Sequence, residues 1–164
     1  MRALSLVAAA LLLAACDSGG PDAPGSGRFE AEISGGLSRS LEGTAGLLSV
    51  FDGPGEEPIL SVTMLDQSVL IRSISLSDEE GVLDGEGTYG LGGGGPLQLL
   101  YQDGLGADGG SYVSASGTLR VTRYGDDRIA GTFTAELAPA FGRDEGAAAS
   151  LSGTFDAVRI PAPF

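Results

Sequence analysis

Lysine, histidine, asparagine and tryptophan are absent from this chain, and cysteine occurs once, at Cys16. Each absence removes a class of chemistry. Without His, neither a Ser-His-Asp nor a Cys-His catalytic arrangement can be assembled. Without Lys, Schiff-base and Ser-Lys catalysis are excluded. A zinc or copper site built on imidazole and thiolate lacks its ligands. A single cysteine allows no disulfide within the chain, and no Gly-rich stretch is followed by the Lys-Ser/Thr pair of a phosphate-cradling loop. Paired carboxylates remain, and a glycosidase needs only two. With 22 acidic residues, however, some pair by chance, and no tryptophan is present to stack a sugar. The expectation is a protein that is not an enzyme.

Glycine is abundant, at 28 of 164 residues. That composition can mark disorder, but here the glycines separate short β-branched and aromatic runs, which disordered chains lack. All nine basic residues are arginine, and the net charge is −13. A GC-rich genome or a salt-loving host would each produce this bias. Such a surface repels nucleic acid and anionic headgroups, so neither is expected as a partner of the domain.

The N-terminus reads as a targeting segment. Met1-Arg2 gives a positive start, and Ala3 to Leu13 is apolar except for Ser5. The run has the length of a signal peptide, about 7–15 residues, and falls short of the ~20 needed to span a bilayer. Leu13-Ala14-Ala15-Cys16 resembles the lipobox of bacterial lipoproteins. The resemblance implies thioether lipidation of Cys16, cleavage after Ala15 and acylation of the new N-terminus. Residues 1–15 are then the lipoprotein signal peptide, and 16–27 the lipidated cysteine with a flexible Gly/Ser/Pro tether. Loss of Arg2 leaves 8 arginines against 22 acids, a charge of −14. The membrane contact runs through acylated Cys16 and places the protein in the cell envelope, facing periplasm or cell exterior.

Residues 28–164 read as a single β-domain, large enough to bury a core without staples. Phe29, Ala31 and Ile33 alternate with charged residues, the period-2 mark of a strand with one wet face. Ser40–Phe51 predicts a longer strand whose phase slips near Leu47-Leu48, at a bulge. Ile59–Leu65 and Ser68–Leu76 flank Asp66-Gln67 as a hairpin. Further strands are expected at Gly87–Leu91, around Leu97, Leu99 and Tyr101, at Tyr112–Tyr124, at Arg128–Leu137 and at Ala149–Ile160. About nine strands with short links favour antiparallel neighbours in a meander. The fold class is therefore all-β, an antiparallel sandwich or flattened barrel, with no helix apart from the signal peptide.

Gly-Thr pairs recur at Gly43, Gly87, Gly117, Gly131 and Gly153, too unevenly for a solenoid or propeller. Gly131 falls on an apolar face between Ile129 and Phe133, which leaves room for a cross-strand aromatic ring or a bulge. Through "SRSLEGTA", "GEGTYGL", "ASGTLRVTR", "IAGTFTAEL" and "LSGTFDAVRI" the chain resembles a family of exported bacterial lipoproteins with Gly-Thr-rich β-strands. The resemblance implies an all-β fold on a lipid anchor and carries over no activity.

Two acidic loops offer hard oxygen ligands of the kind Ca²⁺ prefers. One holds Asp103 and Asp108; the other runs from Asp78-Glu79-Glu80 to Asp84-Gly85-Glu86. Both equally suit solvated turns whose Asp and Gly satisfy turn geometry. Arg120, Arg123 and Arg128 are expected to neutralise Asp126 and Asp127 across a hairpin. Three functional readings follow. The first is a non-catalytic envelope domain that is structural or contacts another protein. The second is a binding module for a small hydrophobic or glycan ligand in a barrel mouth. The weakest is a carboxylate-based hydrolase. A hollow interior would favour the second, and facing carboxylates in a cleft the third.

Overall fold

A computed structural model describes residues 27–50, 59–68, 72–104, 110–142 and 148–160. Every element in them is a strand: β1 (Arg28–Gly35), β2 (Arg39–Val50), β3 (Ile59–Asp66), β4 (Arg72–Asp78), β5 (Gly87–Leu91), β6 (Leu97–Asp103), β7 (Gly110–Tyr124), β8 (Arg128–Gly142) and β9 (Ala149–Arg159). The expected nine strands are present, and of the two expected architectures the chain adopts the barrel. Sequential antiparallel pairing runs β1-β2-β3-β4-β6-β7-β8-β9, and β9 pairs back onto β1 from Arg28↔Asp156 to Gly35↔Ala149. Eight strands thus close the ring, and β5 is added to it through β7.

The strand β5 is best understood as a broken first half of β6. It lies along β7 from Gly87↔Val121 to Leu91↔Gly117, and β6 resumes from Leu100↔Val113 to Asp103↔Gly110. Between them Gly92, Gly93 and Gly94 all take positive φ, a conformation open to glycine at no steric cost. At the break the Ser114 hydroxyl accepts the Leu99 amide at 3.0 Å, replacing a ladder bond.

Alternation decides what faces inward. Leu47, Met64, Ile74, Leu99, Tyr112, Leu137 and Leu151, one from each of seven strands, are all 1% exposed or less. An eight-stranded barrel is just wide enough for side chains to fill, and these fill it. Outward positions such as Glu30, Glu32, Thr132, Thr134, Ser152 and Thr154 are polar, as suits a wall in water.

Inward glycines make room for inward rings. Across β8 and β9, Gly131 stands opposite Phe155 and Phe133 opposite Gly153, while Gly43 of β2 stands opposite Phe29. A Cβ on Gly153 would lie 2.6 Å from Cζ of Phe133 and 2.7 Å from the Glu30 carbonyl oxygen. The vacancy expected at Gly131 is therefore real, and Phe155 uses it; the two rings pack with centroids 6.3 Å apart.

The bulge expected near Leu47-Leu48 is absent. The β2–β3 register runs unbroken from Gly43↔Asp66 to Val50↔Ile59. Leu47 is buried and Leu48 faces outward, so the apparent slip marks an apolar residue on the outer wall. The irregularities lie instead in β7, where its register on β8 shifts at Ser111/Tyr112, Ser114/Ser116 and Val121/Arg123.

Candidate functional site

Cys16, the lipidation candidate, lies outside the described residues, as does Asp108. Asp103 is described, and its surroundings are cationic. Arg72 opposes it across β4 and β6 and donates from Nε to Oδ1 at 2.7 Å. Arg39 reaches Oδ2 at 3.5 Å. Each Asp103 oxygen thus faces a guanidinium group. Arg72 also donates to the buried Asp66 at 3.2 Å, so one guanidinium bridges two acids at this mouth. The Asp66 carboxylate accepts both the amide and hydroxyl of Ser68, at 2.8 and 2.7 Å. Burial alone would raise the Asp66 pKa, but these Ser68 bonds and Arg72 outweigh it and hold the group below its ordinary range. Burial likewise opposes the Arg72 charge, and Asp103 more than restores it, raising the guanidinium pKa.

Beneath the network Tyr101 and Tyr112 pack with ring centroids 5.9 Å apart. The Tyr101 hydroxyl is buried without a hydrogen-bond partner. Its burial first, and the nearby Asp103 carboxylate second, push its pKa far above the ordinary phenol value.

The second acidic loop closes the opposite mouth. Asp78 is buried, and its carboxylate accepts the Val82 and Leu83 amides at 3.0 and 2.8 Å. The Leu83 carbonyl accepts the Tyr124 hydroxyl at 2.6 Å, and the Leu83 side chain is buried over the core. Asp84 accepts the Tyr89 hydroxyl. The loop is thus a turn organised by its own acids. Among the described residues no three acidic side chains converge as metal ligands.

Of the three arginines expected to neutralise their own hairpin, Arg128 has its main partner elsewhere. Arg128 forms a bidentate pair with Asp156 on β9, and Arg159 donates to the carbonyl of Asp126. The neighbour across the sheet outcompetes the neighbour in sequence, because Arg128 and Asp156 share the outer face of paired strands. The Arg128 hydrogen bond, foremost, lowers the Asp156 pKa against the effect of burial.

Two grooves of contrasting chemistry lie on the described outer wall. The larger, about 460 Å³, crosses β2, β1, β9 and β8 and is lined by Glu30, Glu32, Glu42 and a set of Ser and Thr hydroxyls over Gly153. The other, about 340 Å³, is apolar; Leu48, Leu65, Val158 and Ile160 line it beside Gly27. The sequence signal for the second was the misread Leu47-Leu48 step. No protein-family model matches this chain, and no curated protein or solved structure is significantly similar to it.

Proposed function

We propose that this chain is a lipid-anchored protein of the cell envelope, held at a membrane surface by acylated Cys16, whose barrel performs no chemistry and serves a structural or protein-contacting role. The observation that carries the non-catalytic part is the filled interior. Its large side chains leave almost no surface for water, Leu37 and Leu83 are buried at its two ends, and there Arg72 is bonded to Asp103 and the Leu83 amide to Asp78. A module holding a hydrophobic ligand within the barrel would need a cavity of ~300 Å³ or more, and these side chains occupy that space. The outer walls remain for contact. The anchor rests on Leu13-Ala14-Ala15-Cys16, where a thiol follows small residues at the end of a short apolar run.

Mass spectrometry of protein extracted from host membranes tests the anchor. The expected N-terminal peptide begins at Cys16 and carries a diacylglyceryl thioether and an N-acyl chain. Cys16→Ala is expected to leave the membrane-bound mature form undetectable. A bare thiol, or residues 1–15 still attached to the mature protein, would overturn the anchor. Native mass spectrometry of the purified protein tests the filled barrel: a co-purifying small molecule at full occupancy would favour a binding module instead.

A further inference from the structure

We infer that the apolar groove on the outer wall, between β3, β2 and the end of β9, is the face the barrel rests on a lipid surface, with Leu48, Leu65 and Ile160 set into the interface; the inference rests on the proposed anchoring through Cys16. Three observations point the same way.

The first is where the chain enters. Phe29 at the start of β1 pairs with Gly43, so β1 begins only partway along β2. Past that point β2 and β9 meet directly and in parallel, at Gly46↔Val158 and Leu47↔Arg159, and the Ile160 amide donates to the Leu47 carbonyl at 3.0 Å. Gly27 sits in the resulting notch, where a Cβ would collide with the Ala45 carbonyl and come within 2.8 Å of the Asp156 carbonyl oxygen. Gly27 therefore sits in the side of the barrel and not at a mouth. Gly27 is itself part of the groove wall.

The second is chemistry. Leu65 and Ile160 are 51% and 48% exposed, and the Ile160 side chain lies over the bare backbone of Gly46. In a chain with 22 acids, none of the described residues lining this groove is acidic, and the one charged residue among them is Arg159. The hydroxyl-lined groove nearby has the opposite character. A tether attached at either mouth would present a different surface to the bilayer; this one presents the apolar groove.

The third is reach. Ten residues separate Cys16 from Gly27, and a Gly/Ser-rich chain of that length spans roughly 15–20 Å. A surface held so close to its target meets it at an effective concentration on the order of millimolar, so a weak intrinsic affinity suffices. Three apolar side chains at the headgroup boundary supply such an affinity only while the acyl anchor supplies the rest.

Tryptophan is absent from the chain, so a single introduced indole reports alone. Leu65→Trp places it in the groove. Val113→Trp places it on β7, across the ring from β2, at another outward and partly exposed apolar position. Each full-length variant is isolated in lipidated form from host membranes and reconstituted into phosphatidylcholine vesicles with or without brominated acyl chains. The expected result is strong quenching and a blue shift for Leu65→Trp, and neither for Val113→Trp. If the protein floats with the vesicles yet the groove indole is as bright in brominated as in plain lipid, the resting face is refuted and the anchor stands. Equal quenching of both variants also refutes it, since no face is then preferred. Protein that stays off the vesicles with Cys16 unmodified defeats the anchor and this inference together.

Discussion

The two mouths of the barrel are shut by different chemistry. At one, the charge is neutralised by charge: Arg72 lies between Asp66 and Asp103, with Arg39 outside them. At the other, the charge is neutralised by backbone: the Asp78 carboxylate takes two amides, and Leu83 follows them into the core. Strand ends impose the problem at both places, because a barrel end leaves amides and carbonyls without ladder partners. Cross-strand neighbours solved it where β3, β4 and β6 bring opposite charges into register. A local turn solved it where the chain leaves β4 and has no partner strand. The ionic mouth should therefore respond to pH and to loss of its cation, and the backbone-capped mouth to loss of its acceptor.

The largest effect is expected from Arg72→Met. It leaves the buried Asp66 facing a methyl group, and removing one partner of a buried ion pair costs about 3–5 kcal/mol. The exposed rim of the network puts the expected value near the lower end, since solvent screens Asp103 and Arg39. Denaturant unfolding of the domain reads this directly. A cost below about 1 kcal/mol would mean that the mouth is held by its apolar contacts and that the ions are ornamental. Asp78→Ala comes next. Two amides lose a charged acceptor, a loss of about 2–3 kcal/mol, and hydrogen exchange at Val82 and Leu83 should accelerate with no change at Ser68. Asp78→Asn, which keeps an acceptor, should recover part of the loss.

A smaller and more selective effect separates the mouths by pH. The folded-state pKa of Asp66 lies below its ordinary value. Its contribution is therefore present above about pH 4 and is lost as the pH falls through the lowered value. The destabilisation caused by Arg72→Met should accordingly shrink as the pH falls below about 4, towards and through the lowered Asp66 value, because protonation of Asp66 removes the interaction in the parent as well. A difference that stays constant across this range would separate the Arg72 contribution from the Asp66 charge.

The strands were legible because they obey a local rule. The alternation of Phe29, Ala31 and Ile33, and of Leu97, Leu99 and Tyr101, is a property of neighbouring residues, and burial follows it. The vacancy at Gly131 was legible for the same reason. Closure was not, because the β1–β9 register joins residues over a hundred positions apart, and nothing in either strand names its partner. The same nonlocality hid the Arg72 network: Arg72 and Asp103 are 31 residues apart and meet only once β4 and β6 are paired. It also misdirected Arg128, which sequence proximity assigns to Asp126 and Asp127, and the sheet assigns to Asp156. The slip read at Leu47-Leu48 failed differently. An outward leucine looked like a phase error because outward positions were taken to be polar, and here the outward position lines a groove. Of the candidate site residues, Cys16 was put forward by a local motif and Asp103 by composition; composition says nothing of what a carboxylate faces.

The smallest expected effect concerns the ionic mouth alone and has the opposite sign. The Tyr101 hydroxyl is buried without a partner, and a buried polar group left unpaired is destabilising by about 1–3 kcal/mol. Tyr101→Phe removes that group and keeps the ring against Tyr112, so it should be neutral or stabilise by up to ~1 kcal/mol. The alkaline limb adds a second readout. Burial, and after it the Asp103 carboxylate, hold the Tyr101 proton in the folded state well past the pH at which the unfolded chain releases it, about 10. The parent should thus lose stability as the pH rises beyond that point, and the Phe variant should lose less. The gain and the flatter limb belong together, because both follow from the burial of one hydroxyl. If Tyr101→Phe instead costs more than about 1 kcal/mol, the hydroxyl is bonded, through a water to Asp103, and the ionic mouth is a wet network, not a dry one.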